Sequence, residues 1–376
     1  MNKKLHILFL CGWYPSRILP TNGDFIQRHA EAVFLKHSVT VIHIITDPFL
    51  KNKIEITEEK INGIPTHIAY VKATKNPISK IFLFIRAFTI VLKKTKNIDV
   101  VHLNEIFPFG ILSLYLKWFK KIPFIISEHW TDYAYPFSKN IGFFHKTASK
   151  IIAKNASFVC PVSIDLQNSL LQFGLNANYT IVENVVNTAV FFPIENKNSI
   201  FTIVHISNMN DDQKNISGIL NVVAKLHDQK IPIRVQMIGE NASKYNSIKE
   251  IIGLESIEFI DHLPHHLLVK HLQKSNILVL FSNYENLPCV ILESFACGIP
   301  VISTNVGGIK EYFPSNFGVL IDAKNEEKLL EEIKLFHQNK KEIASKKEMY
   351  SFINTNFSNP IICKKFSSLY YKSLKF

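Results

Sequence analysis

No uninterrupted apolar run in this chain approaches the ~18 residues that a membrane-spanning helix requires, so no segment is expected to cross a bilayer. Paired cysteines are missing too. The five that occur, Cys11, Cys160, Cys289, Cys297 and Cys363, are odd in number, far apart and never in a C-x-x-C arrangement. That excludes a disulfide framework or a zinc knuckle and fits a reduced, intracellular chain. Low-complexity tracts and short internal repeats are absent. The run MNKKLHILFLCGWYPS lacks a small-residue cleavage site; it contains His6 and ends in Gly-Trp-Tyr-Pro, which marks a first buried strand rather than a signal peptide. Acidic residues are missing from one long stretch: Lys72, Lys75, Lys80, Arg86, Lys93, Lys94 and Lys96 follow one another with no Asp or Glu before Asp99.

What is present points to two packed domains. At 376 residues the chain exceeds the ~100–200 residues typical of one domain. Hydrophobic residues at 47% against charged residues at 20% supply a core and exclude wholesale disorder. A formal charge of +12 attracts anions, whether nucleotide, phospholipid headgroup or nucleic acid. Nucleic acid is not expected, because the basic residues form no recognisable reading motif. Within the basic 72–96 segment, ISKIFLFIRAFTIVLKK (78–94) carries Ile81, Phe84, Ile85, Phe88 and Leu92 at helical spacing. Two readings stand for it: a membrane-surface helix, or a core helix whose basic residues are solvated.

Short apolar runs alternate with amphipathic segments of helix length. Strands are expected at Leu5–Cys11, Val39–Ile45, Thr66–Val71, Val100–Leu103, Pro123–Ser127, Phe158–Pro161 and Thr180–Val182. After the polar stretch 187–199 the pattern restarts with Phe201–Ile206, Ile233–Ile238, Ile257–Ile260, Ile277–Phe281, Pro300–Ser303 and Gly318–Ile321. Helical segments fill the gaps, among them 243–252 and 288–297. The fold class is α/β, with two Rossmann-like doubly wound domains facing each other across a cleft: 1–187, then 188–355, then a carboxy-terminal helix over 356–376 that packs on either one. Ligands of such sheets sit beyond the carboxyl ends of the strands.

The stretch SNYENLPCVILESFACGIPV (282–301) places Glu285 and Glu293 in mostly apolar company. Pro288 suits a helix start, and the helical neighbours of Glu293, which are Cys289, Val290, Ala296 and Cys297, offer it no polar face. A carboxylate so placed needs a partner, either the paired hydroxyls of a ribose or a structural Lys or Arg. Glu285 lies in the loop at a strand's carboxyl end, beside the backbone N–H groups around Leu287–Val290 at a helix start, where an anion is favoured. It is either solvated or directed at sugar hydroxyls. The acidic run at 210–212 sits in a polar loop and is not expected to bind metal. His129 follows the strand Pro123–Ser127 and so stands out among 15 histidines. His102, Glu105 and Trp130 occupy similar rim positions and are assigned to the acceptor side.

Taken in order, these residues resemble retaining glycosyltransferase family 4, of GT-B architecture. The resemblance rests on Glu-x7-Glu followed by GIPV and a Gly-Gly pair, on CGWYPSRILPTNGDFIQRHAEAV, on ISEHW, on NVVNTAVFFP and on HISNMNDDQKNISGIL, and it runs through nearly the full length. It implies a nucleotide-sugar donor held mainly by the second domain. Glu293 would bind the nucleotide ribose, Glu285 and His129 would serve the reacting sugar, and Lys214 would meet the diphosphate. Gly23 would approach the phosphates, with Asn208 and Asn286 lining the donor. One departure is visible: where the family places an arginine shortly before that lysine, this chain has Ser207–Asn208, leaving Arg17 or Arg28 of the first domain as substitutes.

The resemblance further implies front-face retaining transfer to a cell-surface glycan or lipid-linked saccharide, as in capsule or lipopolysaccharide synthesis. No metal or cofactor is called for. The location would be cytoplasmic, peripheral on the inner face of the plasma membrane through the 72–96 segment. A GT-B nucleotide-sugar epimerase and a non-catalytic scaffold of polysaccharide assembly are the alternatives.

Overall fold

A computed structural model describes residues 3–195, 200–247 and 256–375. The chain divides into two compact units, the first comprising residues 1–185 with 359–376 and the second residues 186–358. These divisions fall two and three residues from those expected of the sequence.

In unit 1 seven strands form one sheet: β1 (His6–Cys11), β2 (Ser38–Asp47), β3 (Ile54–Ile61), β4 (Ile64–Lys72), β5 (Val100–Asn104), β6 (Phe124–Glu128) and β7 (Phe158–Pro161), in the order β3-β4-β2-β1-β5-β6-β7. All pair in parallel except β3 with β4. The parallel strands are apolar on both faces because helices cover both, so β1 and β5 are buried almost throughout.

β3 was not expected from its composition. It carries Glu55, Glu58, Glu59 and Lys60, as an edge strand facing water can. The turn after it, Asn62–Gly63, has positive φ at both residues (51° and 82°), the geometry that joins two antiparallel strands without splaying them. Conversely, Thr180–Val182 forms no full strand. It runs beside β7, its amides bonding to Val159 and Pro161 at 3.0 and 3.1 Å.

Unit 2 holds a six-stranded parallel sheet: β8 (Phe201–Ser207), β9 (Ile233–Gly239), β10 (Ile257–Ile260), β11 (Ile277–Leu280), β12 (Val301–Thr304) and β13 (Gly318–Ile321), in the order β10-β9-β8-β11-β12-β13. The helix expected near 243–252 falls partly outside the described residues; within them Ala242–Tyr245 is a short 3-10 turn.

The carboxy-terminal segment breaks into two helices at Phe357–Ser358. Lys346–Asn356 stays with unit 2, whereas Asn359–Ser373 belongs to unit 1. The latter buries Ile362, Phe366, Leu369 and Tyr370 in the same core as helix Asp24–Phe34. Two histidines tie it further: His37 bonds Ser367 Oγ at 2.9 Å and His102 bonds Tyr370 Oη at 2.7 Å. Phe366 is fully buried, 4.7 Å from the His102 ring. We expect Phe366→Ala to destabilise unit 1 by about 3–5 kcal/mol through the cavity it leaves. Trp13, Trp118 and Trp130 all lie in unit 1, so a denaturant titration read by tryptophan fluorescence checks this. An unchanged midpoint would mean the helix is dispensable.

Candidate functional site

In unit 2 the strand order reverses direction between β8 and β11, and the loops leaving their carboxyl ends are those that carry the singled-out residues. After β8, Asn210 caps the short helix Asp211–Lys214 by accepting from Gln213 N at 3.2 Å. Asp211 accepts from Ser217 N and Oγ at 2.8 and 2.6 Å, so this acidic residue stabilises the start of helix Ile216–Asp228. Asn208 is exposed and bonds Asn210 N.

After β11, the loop 282–287 folds onto that short helix: Asn283 N donates to Gln213 O at 2.7 Å and Asn283 Nδ2 to Asp212 O at 2.9 Å. The result joins two residues 71 positions apart. Lys214 Nζ makes an ion pair with Glu285 Oε1, with both side chains largely withdrawn from solvent. Ser282 Oγ donates to the same oxygen at 2.7 Å, and Thr304 Oγ1 of β12 fixes Ser282 O at 2.7 Å. Gly308 N holds Asn286 O at 3.0 Å. Pro288 precedes helix Cys289–Ala296, which has no side-chain cap, leaving its first turn beside buried Leu287 and half-buried Val290. On that helix Glu293 is 3% exposed. The reading of Glu285 as merely solvated is therefore set aside.

The sheet of unit 1 reverses between β1 and β5, again where singled-out residues gather. Glu105, directly after β5, holds φ at +76°, a conformation costing a residue with a side chain on the order of 1–3 kcal/mol. Its carboxylate lies against Gly12, where any Cβ would overlap Glu105 Oε2. One strand further, Glu128 is fully buried and accepts from the amides of Ile106, His129 and Trp130 at 2.9, 2.8 and 2.9 Å. Burial pushes the Glu128 carboxyl up against the pull of those amides. Burial and then the charge of Glu128 push Glu105 up to about 9.

His129 is half-buried, with its ring 4.5 Å from Phe25 and 5.5 Å from His29; burial holds it well below the usual imidazole value, so it is neutral at physiological pH. Trp130 stacks on His145 at 5.4 Å. Gly23 starts helix Asp24–Phe34 at φ +74°, and a Cβ there would come within 2.6 Å of the Trp13 backbone. That close approach alone requires glycine.

Two expectations are corrected. His102 does not face a rim: it is completely buried, with its second ring nitrogen on Ser127 Oγ at 2.7 Å, and it serves the core. Neither arginine is available to replace the missing cation. Arg17 binds Asp47 at 2.8 Å, pairs with Glu55 and stacks on Tyr70 at 3.8 Å, while Arg28 is buried and bonded to Asp24 at 3.0 Å. The roles of Ser282, Thr304 and Glu128 were not foreseen. A Glu closing an otherwise apolar strand was the available signal for the last. Among the described residues no three His, Cys, Asp or Glu side chains gather as a metal centre would require.

Two family models meet end to end on this chain: Glycosyltransferase Family 4 over residues 28–190 and Glycosyl transferases group 1 over residues 189–351. A putative teichuronic acid biosynthesis glycosyltransferase, TuaC of Bacillus subtilis, is 22% identical across 94% of this chain and 95% of its own. Among solved structures, sucrose-phosphate synthase of Thermosynechococcus elongatus superposes with a TM-score of 0.78 at 16% identity, covering 98% and 99% of the two chains. HepE of Anabaena, solved with UDP-glucose, superposes at 0.73 and 14% identity over 98% and 100%. The fold is GT-B, two parallel-sheet α/β domains.

Glu105 also yields a pH signature. Its folded value lies above the ordinary 4.5, so the stability tied to its protonated form is complete below that value and is lost as pH rises towards about 9. Glu105→Gln should accordingly raise the melting temperature at mildly alkaline pH, the gain shrinking to nothing near pH ~5. A gain of equal size at both ends of that range would contradict the assignment.

Proposed function

Because this chain belongs to the glycosyl transferases of group 1, with a family 4 amino-terminal half, we propose that it moves a sugar from a nucleotide-sugar donor to a cell-surface glycan or lipid-linked saccharide, with retention at the anomeric carbon. The observation that carries this reading is the Lys214–Glu285 pair at the switch point of unit 2, in the loop that leads into the helix of buried Glu293. In this reading Glu293 accepts hydrogen bonds from the ribose hydroxyls. Lys214 turns from Glu285 to the diphosphate, joined by the backbone amides at the start of helix Cys289–Ala296. Glu285 positions the sugar.

The bond from the anomeric carbon to the phosphate oxygen breaks, and its electron pair stays on the phosphate. The acceptor hydroxyl oxygen attacks from the same face, and its proton passes to that phosphate oxygen. Fixed positive charge at the leaving group stabilises the transition state, so no metal or other cofactor is required. A UDP-sugar is the first donor to test, since HepE, a neighbour in fold, was solved with one. The site of action is the inner face of the plasma membrane, approached through the basic 72–96 segment.

Glu293→Gln keeps the shape of the side chain and removes its charge. Losing a charged hydrogen-bond acceptor should weaken donor binding roughly 10- to 100-fold, as calorimetric titration with UDP-, GDP- and ADP-sugars would show, with the melting temperature nearly unchanged. Parental affinity and parental turnover in this variant would overturn the assignment.

A further inference from the structure

We propose that unit 1 docks on an anionic lipid bilayer through one face built from three helices, Pro77–Leu92, Gly110–Lys120 and Phe143–Asn155. The 72–96 segment supplies only a third of it. These helices follow β4, β5 and β6, and each leads to a strand lying farther towards β7. Right-handed crossovers in one direction put all three on the same side of the sheet, opposite helix Asp24–Phe34. Ring contacts tie them together: Phe84 to Phe109 at 6.3 Å and Phe107 to Phe144 at 6.2 Å.

Helix Pro77–Leu92 does not bury the stripe its sequence suggests. Ala87, Phe88 and Val91 face the core, whereas Ile81 and Ile85 face outward. Across the three helices Ile78, Phe82, Trp118, Phe119, Phe143 and Phe144 are all exposed, Phe143 at 86%. A soluble surface seldom leaves so many large apolar side chains together in water unless something covers them.

Charge identifies the cover. None of the three helices contains a single Asp or Glu. Lys80, Arg86, Lys120, Lys121, Lys150 and Lys154 are exposed on or beside them, and among the described residues none of these six forms an ion pair. Aromatic and aliphatic side chains interleaved with cations of one sign match the headgroup boundary of a bilayer containing anionic lipid. No helix of the described residues is long and apolar enough to cross a membrane, so the contact is superficial.

The test uses the full chain and vesicles of phosphatidylcholine with or without about one-third phosphatidylglycerol, and needs no sugar donor, so its outcome is separable from that of the transfer reaction. Flotation should carry the protein with anionic vesicles at least ~100-fold more tightly than with neutral ones, and Trp118 fluorescence should shift to the blue on binding. Lys120→Glu with Lys121→Glu and Lys150→Glu, and separately Phe82→Ser with Phe119→Ser, should each cut binding at least ~10-fold while nucleotide release from a soluble donor stays at the parental level. Equal binding to both vesicle types, no binding to either, or variants that bind like the parent would overturn the proposal. So would light scattering that shows the parent pairing with a second copy and the Phe82→Ser/Phe119→Ser variant remaining single.

Discussion

A carboxylate removed from water must be given a partner, and in this chain the partners are supplied where the sheets change direction. Glu285 receives Lys214 and Ser282, while Glu128 receives three backbone amides. Glu105 receives neither and stays protonated instead, pressed against Gly12 with its backbone in an unfavourable conformation. The loops that satisfy these groups are therefore fixed by electrostatics as much as by packing. Ser282 is tied to β12, Asn283 to the short helix after β8 and Asn286 to the turn at Gly308. The fold delivers a polar rim on apolar strands.

Much of this was legible in the sequence because parallel sheets leave a strong trace. Strands buried on both faces appear as short unbroken apolar runs, and the helices between them are amphipathic, so the two-domain alternation could be read directly. The Glu-x7-Glu spacing survived for the same reason: an acidic residue inside such a run has no solvent face to explain it. Glu293 met that expectation by being almost completely buried.

What escaped the reading has physical causes of its own. β3 is an edge strand, and its charged residues hide the alternation that the Asn62–Gly63 turn should have signalled. His102 looked like a rim residue by position along β5, yet a carboxy-terminal helix more than 250 residues later covers it, a long-range contact that spacing cannot reveal. Arg17 and Arg28 were read as available charges, although Asp47, Glu55 and Asp24 already hold them. The outward apolar face of helix Pro77–Leu92 was likewise hidden, since periodicity reports that apolar residues share a helix without saying which of them meets the core.

The proposed transfer requires Lys214 and Glu285 to act as one unit. A double-mutant cycle on nucleotide release, comparing the parent with Lys214→Met, Glu285→Gln and the variant carrying both changes, measures their coupling directly. Residues in contact and serving one ligand should be strongly non-additive, so the double variant should be no slower than the slower single one, with a coupling of at least ~1.5 kcal/mol. Losses that simply add, or a Lys214→Met variant that turns over donor at the parental rate, would contradict it.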